Sequence, residues 1–187
     1  MSLGDCGLLF IFVIFYHLPL LKFSNLNTME SMTTVVIDTN ILIGASYDEF
    51  SHSKKIIDAV VKGELKAVAS TKVLSENKLL LTRLIRDREY GQELESFFAQ
   101  VELVRPARTV SVSDDPEDNK FINTALEGRA GYIITNDAHL LHIGEYEGIK
   151  IMRPKDFWYH YSGEQKSGEE QWREWMSGVM GHSPNSK

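Results

Sequence analysis

Four acidic residues, far apart in the chain, share one local setting: each lies where a short apolar run gives way to a helix-like stretch, or early in that stretch. Asp38 closes the β-branched run Val35-Val36-Ile37 and is followed by Thr39-Asn40. Glu76 lies six residues beyond Ser70, where Ala67-Val68-Ala69 ends. Asp118 belongs to Asp114-Asp115-Pro116-Glu117-Asp118-Asn119, and Asp137 ends Ile134-Thr135-Asn136-Asp137. A buried carboxylate must be paired, hydrogen-bonded or bound to a metal, because desolvation strongly opposes its charge. Taken singly, each acid has a structural reading. Asp38 and Asp137 suit a helix N-cap, Asp115 and Asp118 suit the positive end of a helix dipole, and Glu76 suits a solvated helix face. Taken together, the four would repel one another, and a divalent cation relieves that repulsion. All-oxygen donors of this kind suit Mg2+ or Mn2+.

The elements that must position them alternate between the two periodicities. Strand-like runs are Val35–Ile37, Ala67–Ala69, Val101–Val104, Tyr132–Ile134 and Ile149–Ile151. Helix-like stretches are His52–Lys62, Lys72–Arg86, Gln92–Gln100, Glu117–Glu127, His139–Ile143 and Pro154–Tyr161, with a short helix after Asp38 and a polar loop over Ser111–Asp118. Alternation of this type predicts an α/β fold of three layers, a central parallel sheet of about five strands with helices on both faces. Parallel strands would bring all four acids to one edge, the crevice where such sheets bind ligands.

The chain has 187 residues, enough for one domain with a substantial core at residues 32–161. A net charge of −6 argues against a protein that grips nucleic acid mainly through a basic surface. Cys6 is the only cysteine, which excludes a disulfide scaffold and a cysteine-based zinc site and fits a cytoplasmic setting. Leu8–Leu21 is almost continuously apolar, yet as a helix it would reach only about 21 Å against roughly 30 Å of hydrocarbon. With no basic flank ahead of it, residues 1–31 read as an apolar leader rather than an anchor, with Met29 and Met32 as alternative starts, and no stable membrane association is expected. At the other end, Gly163–Gly168 reads as a linker to a tail at residues 162–187. That tail sets Trp172, Trp175, Met176, Val179 and Met180 at helical spacing. It either packs back on its own domain, frays, or docks another subunit, and a homodimer is expected.

Ile37-Asp38-Thr39-Asn40, Ser70-x5-Glu76, Asp115-Pro116-Glu117-Asp118-Asn119-Lys120-Phe121 and Ile134-Thr135-Asn136-Asp137 resemble, in order, the four acidic motifs of PIN-domain ribonucleases. The resemblance runs from about Thr34 to Tyr161 and is closest to VapC-like toxin components of toxin–antitoxin pairs. It implies a metal-dependent endoribonuclease that hydrolyses RNA to 5′-phosphate and 3′-hydroxyl ends. In that reading Asp38 and Asp118 are the principal metal ligands, and Glu76 and Asp137 complete the acidic pocket directly or through water. Thr39, Asn40, Ser70 and Thr135 would orient the carboxylates or hold metal-bound water. A cognate antitoxin protein is implied as well. One departure is His139, which stands where many relatives carry a further Asp and reads as a polar helix residue.

Lys72, Lys78, Arg83, Arg86 and Arg88 are candidates to hold RNA phosphates, although interspersed acids also fit a merely solvated face. Two other classes compete. Asp-nucleophile phosphatases also place an Asp at the end of the first strand, but they need a second acid two residues later, and position 40 is Asn. A PIN-like module that binds without cutting would have no reason to keep four mutually repelling acids.

Overall fold

The computed structural model describes residues 32–164, 168, 171–173 and 175–176. The leader at residues 1–31 lies outside them, as do Val179 and Met180 of the tail. The elements run β1 (Thr34–Ile37), α1 (Thr39–Ala45), α2 (His52–Val61), β2 (Lys66–Ser70), α3 (Thr71–Leu84), α4 (Arg88–Gln100) and β3 (Glu102–Val104). They continue with α5 (Asn119–Glu127), β4 (Tyr132–Ile134), α6 (Ala138–Ile143), β5 (Glu145–Tyr146), β6 (Ile149–Met152) and α7 (Pro154–Ser162).

The strands form one sheet in the order β3-β2-β1-β4-β6-β5. β1 pairs in parallel with β2 on one side and with β4 on the other, with Val35 opposite Ala67 and Tyr132. The winding therefore reverses at β1, and the crevice beyond the carboxyl ends of β1 and β4 is where an open α/β sheet receives ligands. Five strands are parallel, as the alternation predicts. The sixth, β5, is an antiparallel edge of two residues joined to β6 through Glu147 and Gly148, which have φ of +47° and +82°. Two residues carry no periodicity, so this strand has no sequence signature beyond its Gly-containing turn.

Because successive strand residues face opposite sides, β1 feeds two cores. Val35 and Ile37 join Ile41, Leu42, Ile56, Ile57, Leu94 and Phe157 on the face covered by α1, α2, α4 and α7. Val36 joins Val68, Phe121, Ile122, Ile133 and Leu140 beneath α5 and α6. Gly128, just past α5, allows the close approach this second core needs: a Cβ there would meet Val68 Cγ2 at 2.6 Å.

Helix starts follow the caps. Ser51, Ser70, Asp87 and Asp137 each accept a backbone N–H in the first turn of the following helix. The helix expected from Glu117 begins at Asn119, because residues 115–118 close a turn in which Asp118 N–H bonds Asp115 C=O at 3.1 Å. Of the tail, Trp172 and Trp175 are exposed, at 59% and 62%.

Tyr90 ties α4 to α1, the helix that follows Asp38: its buried hydroxyl donates to the Leu42 carbonyl at 2.6 Å. Tyr90→Phe leaves that carbonyl without this donor and should lower stability by about 1–2 kcal/mol, read as a lower urea midpoint at unchanged slope. An unchanged midpoint would show that the bond contributes nothing net.

Candidate active site

Nine polar residues are buried among the described residues, and seven of them surround the crevice at the sheet's carboxyl edge. Asp38 and Thr39 follow β1, Ser70 ends β2, Thr135 follows β4, Asn77 lies on α3, and Ser113 and Asn119 flank Asp118. Buried polar groups require partners, and these largely supply one another.

Asp38 is both cap and site residue. It is 5% exposed. Its Oδ1 accepts the Asn40 backbone N–H at 3.4 Å, while Oδ2 accepts the Thr135 hydroxyl at 2.7 Å and the Asn40 side-chain amide at 3.4 Å. The same Thr135 oxygen accepts the Asp137 N–H at 2.9 Å, so its own proton is left for Asp38. Asp137 Oδ1 caps α6, accepting the His139 N–H at 2.7 Å, which leaves Oδ2 outside the cap. Asp118 holds the N-cap position of α5 but makes no capping bond; its Oδ2 accepts the Ser113 hydroxyl at 3.2 Å. The dipole explanation of Asp118 thus does not account for where its carboxylate is held.

Burial pushes the Asp38 carboxyl above the ordinary range, the Thr135 hydroxyl opposes the rise, and the Asp137 charge adds to it. Burial also raises Asp118, followed by repulsion from Asp137, with His139 opposing. Asp38 and Asp118 thus both sense the charge of Asp137. Glu76 differs from the expectation of acids without basic partners: its Oε2 bonds Lys120 Nζ at 2.5 Å. Lys120 also acts electrostatically on Asp38, which ties Glu76 to the same region. Next to Glu76, the buried Asn77 Oδ1 accepts the Thr39 hydroxyl, and Ser70 caps α3 through Val73 N–H.

Among the described residues no three His, Cys, Asp or Glu side chains close on a common point at metal-ligand distance. The donor set still fits a hard divalent cation: carboxylate oxygens with raised proton affinity, repelling one another, with one lysine already engaged. Sequence reasoning missed Asn77, Ser113 and Lys120. Asn77 and Ser113 carry no motif, whereas Lys120 lies inside the Asp115–Phe121 motif and its charge beside three acids was a readable signal.

The candidate RNA-binding residues separate. Lys72 pairs with Glu117 at 2.8 Å beside the site. Lys78, Arg86 and Arg88 instead line a cavity of about 730 Å3 between α3 and α4 that none of the four acids lines, and Lys78 lies over the Phe98 ring. Arg83 lies exposed in the last turn of α3.

With the sheet, its switch point and this polar shell in place, the match of residues 34–139 to the PIN-domain family model fits the structure throughout. The chain belongs to the PIN-domain family, whose members are generally nucleases. It is 31% identical over 140 residues to uncharacterized protein MJ1680 of Methanocaldococcus jannaschii, covering 66% of this chain and 88% of that relative. A solved structure, VapBC2 from Rickettsia felis bound to a DNA fragment from their promoter, is similar at 13% identity and a TM-score of 0.45. That likeness covers 65% of this chain and 98% of the solved one.

A raised carboxyl holds its proton more tightly in the folded chain than in the unfolded one. Its ionisation therefore removes stability as pH rises from the ordinary value, about 3.9, through the raised one. In metal-free buffer Asp118→Asn should have a higher urea midpoint than the natural chain at about pH 7, and the gap should close toward about pH 3. A lower midpoint at neutral pH would mean that the carboxylate stabilises the fold.

Proposed function

We propose that this protein is a Mg2+- or Mn2+-dependent endoribonuclease and acts as the toxin of a toxin–antitoxin pair. The observation that carries the reading is the polar shell: the carboxylates of Asp38, Asp118 and Asp137 are held, each by a hydroxyl or a cap, at the switch point of a parallel sheet. Asp38 and Asp118 would be the principal ligands of the cation, and Glu76 and Asp137 would complete the acidic pocket directly or through water. When bound, a divalent cation lowers the pKa of a coordinated water and draws charge from the phosphoryl oxygens.

The chain's own groups do the rest. Thr135 fixes the Asp38 carboxylate through a hydroxyl whose proton has one destination. Ser113 does the same for Asp118. Thr39, bonded to Asn77, locks α1 against α3 so that Asp38 and Glu76 keep their separation, and Ser70 and Asn40 complete the local turns. The toxin role rests on the resemblance of the four motifs to VapC-like proteins. It carries with it a cognate antitoxin partner and a cytoplasmic setting, and a homodimer is proposed with them. Among the described residues no helix is long and apolar enough to cross a membrane.

The Lys120–Glu76 pair favours a second reading, a PIN module that binds RNA and does not cut. A labelled single-stranded RNA incubated with Mn2+ separates the two. The natural chain should cleave it, excess EDTA should abolish cleavage, and Asp38→Asn and Asp118→Asn should each fall at least about 100-fold in rate while remaining folded by circular dichroism. Thr135→Val, which keeps the shape and loses the hydroxyl, should fall about 10–100-fold, as removal of a ligand's hydrogen-bond partner does. Undiminished cleavage in EDTA or in Asp38→Asn rules the mechanism out. RNA binding with no cleavage identifies the non-cutting module.

A further inference from the structure

Beside the acidic pocket lies a crevice of about 360 Å3 whose wall carries four cationic side chains and no acidic one. Lys72 comes from the first turn of α3, Arg105 and Arg108 from the segment after β3, and Lys120 from α5. Thr109 and Asn123 add uncharged polar groups to the lining. In a chain of net charge −6 this is an unusual concentration of one sign. Lys120 stands on the boundary, since it also binds Glu76. The acids that engage the crevice do so from outside it: Glu117 meets Lys72 at 2.8 Å and Glu147 meets Arg108 at 3.3 Å. All four of these side chains are more than 40% exposed, and such pairs are weak and readily exchanged. Arg105 has no ion-pair partner among the described residues, so it stands ready for an external anion.

We infer that this crevice seats backbone phosphates of the RNA strand flanking the bond under attack, an inference that rests on the nuclease reading above. Arginine forks match phosphate oxygens two at a time, whereas an RNA base offers no reason for four cations around a largely uncharged lining. Phosphate contacts position a strand without reading its sequence. They also answer an electrostatic difficulty. A polyanion is repelled by the carboxylates that the chemistry needs, and a cationic wall adjoining them holds the strand in place.

Binding of a labelled single-stranded RNA, followed by fluorescence anisotropy across a salt series, tests this in the full chain carrying Asp38→Asn so that the RNA stays whole. Adding Arg105→Ala with Arg108→Ala should weaken binding about tenfold or more and flatten the slope of log affinity against log salt by about 0.7 per lost phosphate contact. Lys62→Ala, a charge removed at the opposite edge of the sheet just before β2, should change neither. If the double variant binds with unaltered affinity and slope, the assignment is overturned, and cleavage by the natural chain then still supports the nuclease. If the natural chain neither binds nor cuts RNA, the reading beneath it falls as well.

Discussion

The buried carboxylate of Asp38 is where the fold and its chemistry constrain each other. It ends the central strand at the point where the sheet's winding reverses, and it is almost wholly withdrawn from water. Burial resists its charge, and the groups that compensate are Thr135 just beyond β4, Asn40 in the first turn of α1 and Lys120 at the start of α5. Thr135 is decisive among them. Its hydroxyl is fully buried, accepts from Asp137 and therefore donates to Asp38. β1 and β4 are joined by their ladder and, beyond its end, by this polar bond. A sheet that wound without reversing at β1 would place a different strand end beside Asp38 and leave the carboxylate without this donor.

The same economy extends through the shell. Asn119 behaves like a piece of backbone: its Oδ1 accepts the N–H groups of Val112 and Ser113 at 2.8 and 3.0 Å, and its amide donates to the carbonyls of Asp115 and Pro116. That holds the loop in a shape which turns the Ser113 hydroxyl toward Asp118. Beneath the shell, two apolar clusters hold the strands from opposite faces, so a shift of any strand end would disturb close-packed side chains. The site is polar at its lip and rigid at its base, which is the arrangement that keeps acids apart when no ion holds them together.

Much of this could be read from residue order. Val35–Ile37, Ala67–Ala69 and Tyr132–Ile134 announce buried strands because β-branched and small apolar residues run uninterrupted to a polar stop, and each stop marks the crevice. Bounds at helix starts were less legible, since Asp115 and Asp118 look alike as first-turn acids and only the turn at residues 115–118 decides between them. Pairings across long separations were hidden altogether. Lys120 and Glu76 are 44 residues apart, and Thr39 and Asn77 are 38 apart. Lys120, Glu76 and Thr39 all lie in readable motifs, but nothing local shows which distant residue each one meets. β5 was hidden for another reason: an edge strand of two residues follows its turn geometry rather than any pattern of its own.

Under the proposed nuclease reading, Lys120 would explain how an acidic protein could hold an acidic polymer. At physiological salt the screening length is about 8 Å, so the sign of the whole molecule matters less than the charges within a nucleotide or two of the strand. A net charge of −6 is then compatible with a tight local hold, provided positive groups adjoin the acids rather than surround them at large. The structure separates an acidic crevice from a cationic wall across a single side chain. On one side of Lys120 lies Glu76 with the crevice of carboxylates, and on the other lie Lys72, Arg105 and Arg108. A lysine in that position pairs with Glu76 and favours the charged form of Asp38 while also lining the cationic wall. Arg86 and Arg88, which line the α3–α4 cavity instead, stand outside that division, so their charge is better explained by solvation or by a different contact.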